Sequence, residues 1–218
     1  MTSRTALITL TAATGLALAA CNLNVDFDDE TVTQDFELAD FDAIEIDAPF
    51  EVTIRQGDTQ SVEVEVPEGL LDDLVVEVDD GRLVIDIDGS PFQFGGGDMV
   101  ASITITDLTA IDASSASEIV VPNIDVDILE LDGSGASSIS ISGTVDKLDL
   151  ELSGASNADI TGTSISQVTV DFSGASSGEF DENVIDIEGS ISGASSLDVD
   201  SETNVRVDTA GASSIDRN

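Results

Sequence analysis

An all-β fold is predicted, a right-handed parallel β-helix (solenoid) with coils of about 20 residues, and three features of the 218-residue sequence point to it. The first is a returning phrase. Gly-Ala-Ser stands at 135–137, 154–156, 174–176, 193–195 and 211–213, with an earlier version at 113–117 in which Ser115 takes the glycine's place. From Ser115 onward the steps are 20, 19, 20, 19 and 18 residues. The second is the text between the phrases, where aliphatic and acidic residues alternate, as in Leu148-Asp149-Leu150-Glu151-Leu152. A period of two sends the aliphatics to one side and the acids to the other. The third is composition. Tyr, Trp and His are absent and aromatics are 4%, so the core must be built from Ile, Val, Leu and Ala, which suits thin, regular layers.

The chain opens with Arg4 and an apolar stretch running to Ala20, too short for a spanning helix and read as an export signal over residues 1–20. Leu18-Ala19-Ala20-Cys21 resembles a bacterial lipobox, whose cysteine becomes diacylated. Cys21 is the only cysteine, so no disulfide forms within the chain, and lipidation explains an unpaired thiol in an exported protein. The expected anchor is palmitate-type acylation at Cys21. Residues 21–35 carry five acids, Asp26, Asp28, Asp29, Glu30 and Asp35, and read as an acidic tether whose alternating tail could join a first strand.

The domain is expected over 36–218. Alternation through Phe41, Ile44, Ile46, Phe50, Val52 and Ile54 predicts the first strands, with Pro49 between them. Val62, Val64 and Val66 resume the pattern, and Leu74–Val78 and Leu83–Ile87 pair around Asp79-Asp80-Gly81. These longer strands are read as opening coils or a hairpin-bearing cap. The segment 89–98 is a loop whose three glycines lack the lysine and helix of a phosphate cradle, and its Phe92 and Phe94 are a candidate contact patch. From Val100 the regular repeat is expected to take over. Its structural corners are Gly135, Gly154, Gly174, Gly193 and Gly211, where tight turns need glycine and close stacking favours Ala and Ser.

Phe41-Asp42-Ala43-Ile44-Glu45-Ile46, Val52-Thr53-Ile54-Arg55-Gln56-Gly57, Asp80-Gly81-Arg82-Leu83-Val84-Ile85 and the serial Ser-Gly-Ala-Ser units together resemble the auto-transporter adhesin head family, the GIN domain, over residues 36–215. The resemblance implies a secreted or lipid-anchored bacterial envelope protein with a right-handed β-helical fold. It implies an adhesin-like role by fold analogy only.

Forty-five acids face six bases, a net charge of −39, and loss of Arg4 with the signal leaves five bases and −40. Such a surface repels nucleic acid and anionic headgroups. It reads either as adaptation to salinity or as a cation-binding surface. Without histidine, Ser-His-Asp and Cys-His catalysis and the common zinc and iron sites are excluded. Outward acid pairs remain: Asp125 with Asp127, Asp149 with Glu151, Asp186 with Glu188, and Asp198 with Asp200. Their spacing of about 7 Å fits glycosidase chemistry, but every outward pair meets it. They are instead candidate weak Ca²⁺ sites, where an ion bridging stacked acids from rung to rung would relieve their repulsion, with no dedicated cofactor expected. The expected function is a lipid-anchored lipoprotein of the outer membrane or cell surface presenting an acidic face to a cell-surface glycan or envelope protein. The alternatives are an envelope structural or stress-related protein and a polysaccharide-active enzyme.

Overall fold

The computed structural model describes residues 31–89, 97–181 and 183–218. The expected signal segment, Cys21, Phe92 and Phe94 lie outside the described residues.

The repeat region comprises β9 (Glu118–Gly133), β10 (Ser138–Leu152), β11 (Asn157–Phe172), β12 (Ser177–Phe180), β13 (Val184–Ile191), β14 (Ser196–Val199), β15 (Asn204–Thr209) and β16 (Ser214–Arg217). All their mutual pairings are parallel. Each coil has three segments. In β10 these pair with the next coil as Ser138–Ile141 on Asn157–Ile160, Gly143–Val145 on Thr163–Ile165, and Lys147–Leu152 on Gln167–Phe172. We call them the first, second and third faces. The chain is thus a β-solenoid with coils near 20 residues.

Alternation decides what points inward. Leu148, Leu150 and Leu152 are buried while Lys147, Asp149 and Glu151 are exposed. Each fully buried aliphatic side chain contributes about 1.5–3 kcal/mol, and the stacks are size-matched. Inside, Gly133 lies beneath Leu152, whose Cδ2 would be 2.7 Å from any Cβ added there. One coil on, Phe172 is fully buried and its ring occupies the space a side chain at Gly178 would need. A large residue on one rung answers a small one nearby, as close packing requires.

The corner between the third face and the next coil carries the repeated phrase. Ser115, Gly135, Gly154, Gly174, Gly193 and Gly211 all have φ between 63° and 78°. A Cβ on Gly154 would sit 2.5 Å from the carbonyl oxygen of Gly135, so glycine here answers both the left-handed backbone and the close approach. The following alanine donates its N–H to the corner below, Ala155 to Gly135 at 2.8 Å and Ala175 to Gly154 at 2.8 Å. Ser115 manages the same conformation with help: its Oγ donates to the Asp47 carbonyl at 2.8 Å. The third residue of the phrase is buried from Ser137 through Ser195, and Ser156, Ser176 and Ser195 each donate to the carbonyl three residues back.

The amino-terminal part is β1 (Thr31–Phe36), β2 (Ala43–Ile46), β3 (Glu51–Gln56), β4 (Ser61–Pro67), β5 (Leu74–Asp79), β6 (Arg82–Ile87), β7 (Val100–Ile105) and β8 (Ala110–Ala113). A 3-10 turn at Glu68–Leu70 is the single helical element among the described residues. The alternating tail of the acidic stretch is paired as β1, antiparallel to β4. Here chain order and stacking order part. β2 lies between β6 and β8, and β3 between β7 and β9, so the coil 43–56 is sandwiched between a later coil and the repeat. The expectation that the repeat takes over at Val100 is therefore corrected. β7 pairs parallel with β3 but antiparallel with β4, which makes it part of the cap, and unbroken parallel stacking resumes with β8. Parallel and antiparallel strands that are buried on one face share one alternation, so periodicity could not distinguish them. The β5–β6 hairpin turns through Asp80 and Gly81, both at positive φ, and closes one edge of the cap.

Candidate functional site

The third face is a broad sheet running from β6 through β2, β8, β9, β10, β11 and β13 to β15, with outward residues aligned in columns. One column reads Glu45, Asp112, Asp132, Glu151, Asp171, Ser190 and Asp208. Its first five members are all acids, one per rung, in strands about 4.8 Å apart. The neighbouring column reads Arg82, Ala43, Ala110, Glu130, Asp149, Thr169, Glu188 and Arg206. A third begins the face at Ile128, Lys147, Gln167, Asp186 and Asn204.

Arginines bracket this rack of carboxylates. At one end Arg82 reaches Glu45 at 3.7 Å and Asp112 at 4.0 Å. At the other Arg206 reaches Asp186 at 3.6 Å and Glu188 at 3.8 Å. Between them Asp132, Glu151 and Asp171 have no Lys or Arg nitrogen within 4.0 Å among the described residues, and the first three acids of the column hold their protons more tightly than usual. Partial burial holds the Asp112 carboxyl above its ordinary pKa, and the charge of Asp132 adds to this while Arg82 opposes it. Asp132 is raised by burial and by Glu151. Glu45 is raised by burial and by Asp47 and Asp112, with Arg82 again opposing. Like charges directly opposite one another on adjacent strands are destabilising. Arg82, Asp112, Glu130, Asp132, Asp149 and Glu151 line a groove of about 220 Å³ in this face.

The candidate acids are dispersed by the fold. Asp149 and Glu151 stand in the rack, and Asp186 and Glu188 are clasped by Arg206. Asp125 is on the second face, its backbone bonded to both ends of the Gln56 amide at 3.2 and 2.9 Å. Asp127 sits at the corner where two successive residues, Asp127 and Ile128, are both exposed. Asp198 belongs to a separate column on the first face with Asp159, Glu179 and Asp216. Asp200 is not an outward strand residue. It lies beyond the end of β14, and its Oδ1 accepts the Glu202 N–H at 2.8 Å. Across the rungs Asp149 stands beside Glu130, and Glu151 beside Asp132 and Asp171. Asp112, Asp132, Glu151 and Asp171 each precede a corner residue by three positions, a signal available from aligning the repeats. Glu45 and Arg82 carry no such mark.

Adjacent carboxylates in the rack could share hard cations pairwise. Among the described residues no group of three or more metal-ligating side chains converges as a cage would require. Every neighbouring pair also has a spacing of the order used by retaining glycosidases, about 5 Å, so distance selects no acid–base pair.

The family model described as "Putative auto-transporter adhesin, head GIN domain" matches residues 40–217. A crystal structure of a "putative adhesin" from Bacteroides fragilis superposes with a TM-score of 0.71 at 16% identity, covering 87% of this chain and 97% of that one. Two proteins from Parabacteroides distasonis have the same fold. A "putative adhesin" has a TM-score of 0.53 at 15% identity, and a "putative lipid binding protein" 0.51 at 14%, each covering 88% of this chain and 98% of its own. Comparison with curated proteins yields no match.

Proposed function

The chain belongs to the auto-transporter adhesin head GIN domain family, and from that footing we propose that it is an adhesin-like contact module displayed on a bacterial cell envelope. In this reading residues 1–20 direct export and acylated Cys21 holds the domain to the outer membrane or cell surface. Several acyl chains on one residue give firm attachment, since each buried methylene adds about 0.8 kcal/mol. The contact surface is the third face, and its partner an envelope protein or cell-surface glycan.

The observation that supports this is the column Glu45–Asp112–Asp132–Glu151–Asp171. Charges stacked rung on rung oppose folding, so their alignment on the broad face is better explained by what the face meets than by stability. Weak Ca²⁺ shared between neighbouring rungs belongs to the same proposal, because it would relieve the repulsion and could bridge to an anionic partner.

Mass spectrometry of the membrane fraction tests the anchor, with an acylated amino-terminal Cys21 expected. Attachment of whole cells tests the face. A variant combining Asp132→Asn, Glu151→Gln and Asp171→Asn, displayed at wild-type level, should attach severalfold less. Attachment equal to wild type would leave the rack a consequence of acidic composition alone.

A further inference from the structure

Beyond the acidic rack, the other end of the third face holds a groove of a different character. It measures about 420 Å³ and is lined by Asp146, Lys147, Ser166, Gln167, Asp186 and Arg206. Its size falls within the range of about 300–1,000 Å³ usual for small-ligand sites. Two of the chain's six bases meet there, one of them its only lysine. Among the described residues Lys147 has no carboxylate within 4.0 Å, although the chain carries 45 acids. The two most exposed large hydrophobic residues among the described residues also border this place. Ile128, 57% exposed, stacks on Lys147 in register, and Ile185, 58% exposed, adjoins Asp186.

From this juxtaposition we propose that the groove binds a saccharide bearing an isolated carboxylate, a uronic acid within an otherwise neutral glycan. The Lys147 ammonium is available as its counter-charge. Arg206, held by Asp186 and Glu188 on one side, offers its remaining N–H donors to the same carboxylate. Asp146 and the Gln167 carbonyl accept from ring hydroxyls, and the Ser166 hydroxyl accepts or donates; the Gln167 amide already donates to Glu188 at 3.5 Å. Ile128 and Ile185 supply aliphatic surface for the C–H faces of a sugar, in a chain without Trp or Tyr. The net charge of −39 selects against densely anionic polymers, so the ligand's charge must be sparse. This inference deepens the envelope-contact reading and rests on it for its biological setting.

Because Lys147 is the sole lysine, reductive ¹³C-methylation of the full-length chain gives one side-chain NMR signal besides the terminal amine. A trisaccharide with a single terminal glucuronate should shift the Lys147 signal saturably, while its methyl ester should not. Lys147→Gln should weaken binding by at least about tenfold, the loss of a charge-assisted contact, measured by calorimetry. Lys147→Arg should keep binding, and Glu179→Gln, exposed on the first face, should leave it unchanged. Equal binding of the methyl ester, unchanged affinity in Lys147→Gln, or no saturation at about 10 mM overturns the proposal, as does an equal response to phosphorylethanolamine or an acidic peptide. If glucuronate binding fails while the rack variant still loses cell attachment, the contact reading stands and this assignment falls.

Discussion

Arg82 Nε lies 3.7 Å from Glu45 Oε2, joining β6 to β2 at the amino-terminal end of the carboxylate rack. The same guanidinium reaches Asp112 at 4.0 Å. It serves the first two acids and none beyond, so from Asp132 onward the column meets its own charge without that counter-ion.

Burial and like charge together give stability a sign with pH. Glu45, Asp112 and Asp132 have folded pKa values above their ordinary 4.5, 3.8 and 3.8. Just above those values the folded state holds more protons than the unfolded chain. The associated stability is complete below the ordinary values and is lost as pH rises through the folded ones. Lowering the pH from 7 towards 4.5 should raise Tm, by on the order of 2–4 °C. Asp132→Asn should raise Tm at pH 7 and shrink the gain on acidification. A lower Tm for Asp132→Asn at pH 7 would contradict repulsion at this rung.

Screening should act in the same direction. With 45 acids against six bases, NaCl between about 0.01 and 1 M shortens the Debye length from roughly 30 to 3 Å, and Tm should climb with it. CaCl₂ should act at lower concentration than NaCl if neighbouring rungs share the ion. Thermal melts followed by circular dichroism provide the measurement, and a flat response to both salts would count against self-repulsion.

Backbone stacking fixes certain glycines beyond any effect of charge. Gly189 has φ +137°, and a Cβ there would lie 1.9 Å from the Val170 carbonyl oxygen. Gly189→Ala should cost about 3 kcal/mol or more, because backbone on the rung below must move. Gly69, with nothing within 4 Å of an added Cβ, should accept alanine with little change. Chemical denaturation of the two variants side by side makes the comparison.

The buried serine column offers a finer test. Ser156 Oγ donates to the Ser153 carbonyl at 2.7 Å, whereas Ser137 Oγ, equally buried, has no partner among the described residues. Ser156→Ala should cost about 1 kcal/mol and Ser137→Ala close to nothing. Equal losses at both sites would mean that the hydroxyls act through packing.

Much of the fold is legible in local text. The inward set is written in the alternation Leu148-Asp149-Leu150-Glu151-Leu152, and the corners in Gly-Ala-Ser, because a period of two and a left-handed turn each depend on a few consecutive residues. The groove at Lys147 is not legible in this way. It needs residues from β10, β11, β13 and β15 at one corner, and nothing local to Lys147 announces Arg206.

By itself the sequence determined a solenoid of short coils, an aliphatic interior and an acidic exterior, since these follow from side-chain period and composition. Only the tertiary structure decided that the coil 43–56 slips between 82–105 and 110–121, and hence that Glu45 heads the carboxylate column and Arg82 closes it. The physical reason is that strands in a sheet pair through the backbone, which is the same for every residue. Alternation fixes which way a side chain points, but the rung on which it lies depends on contacts between distant segments.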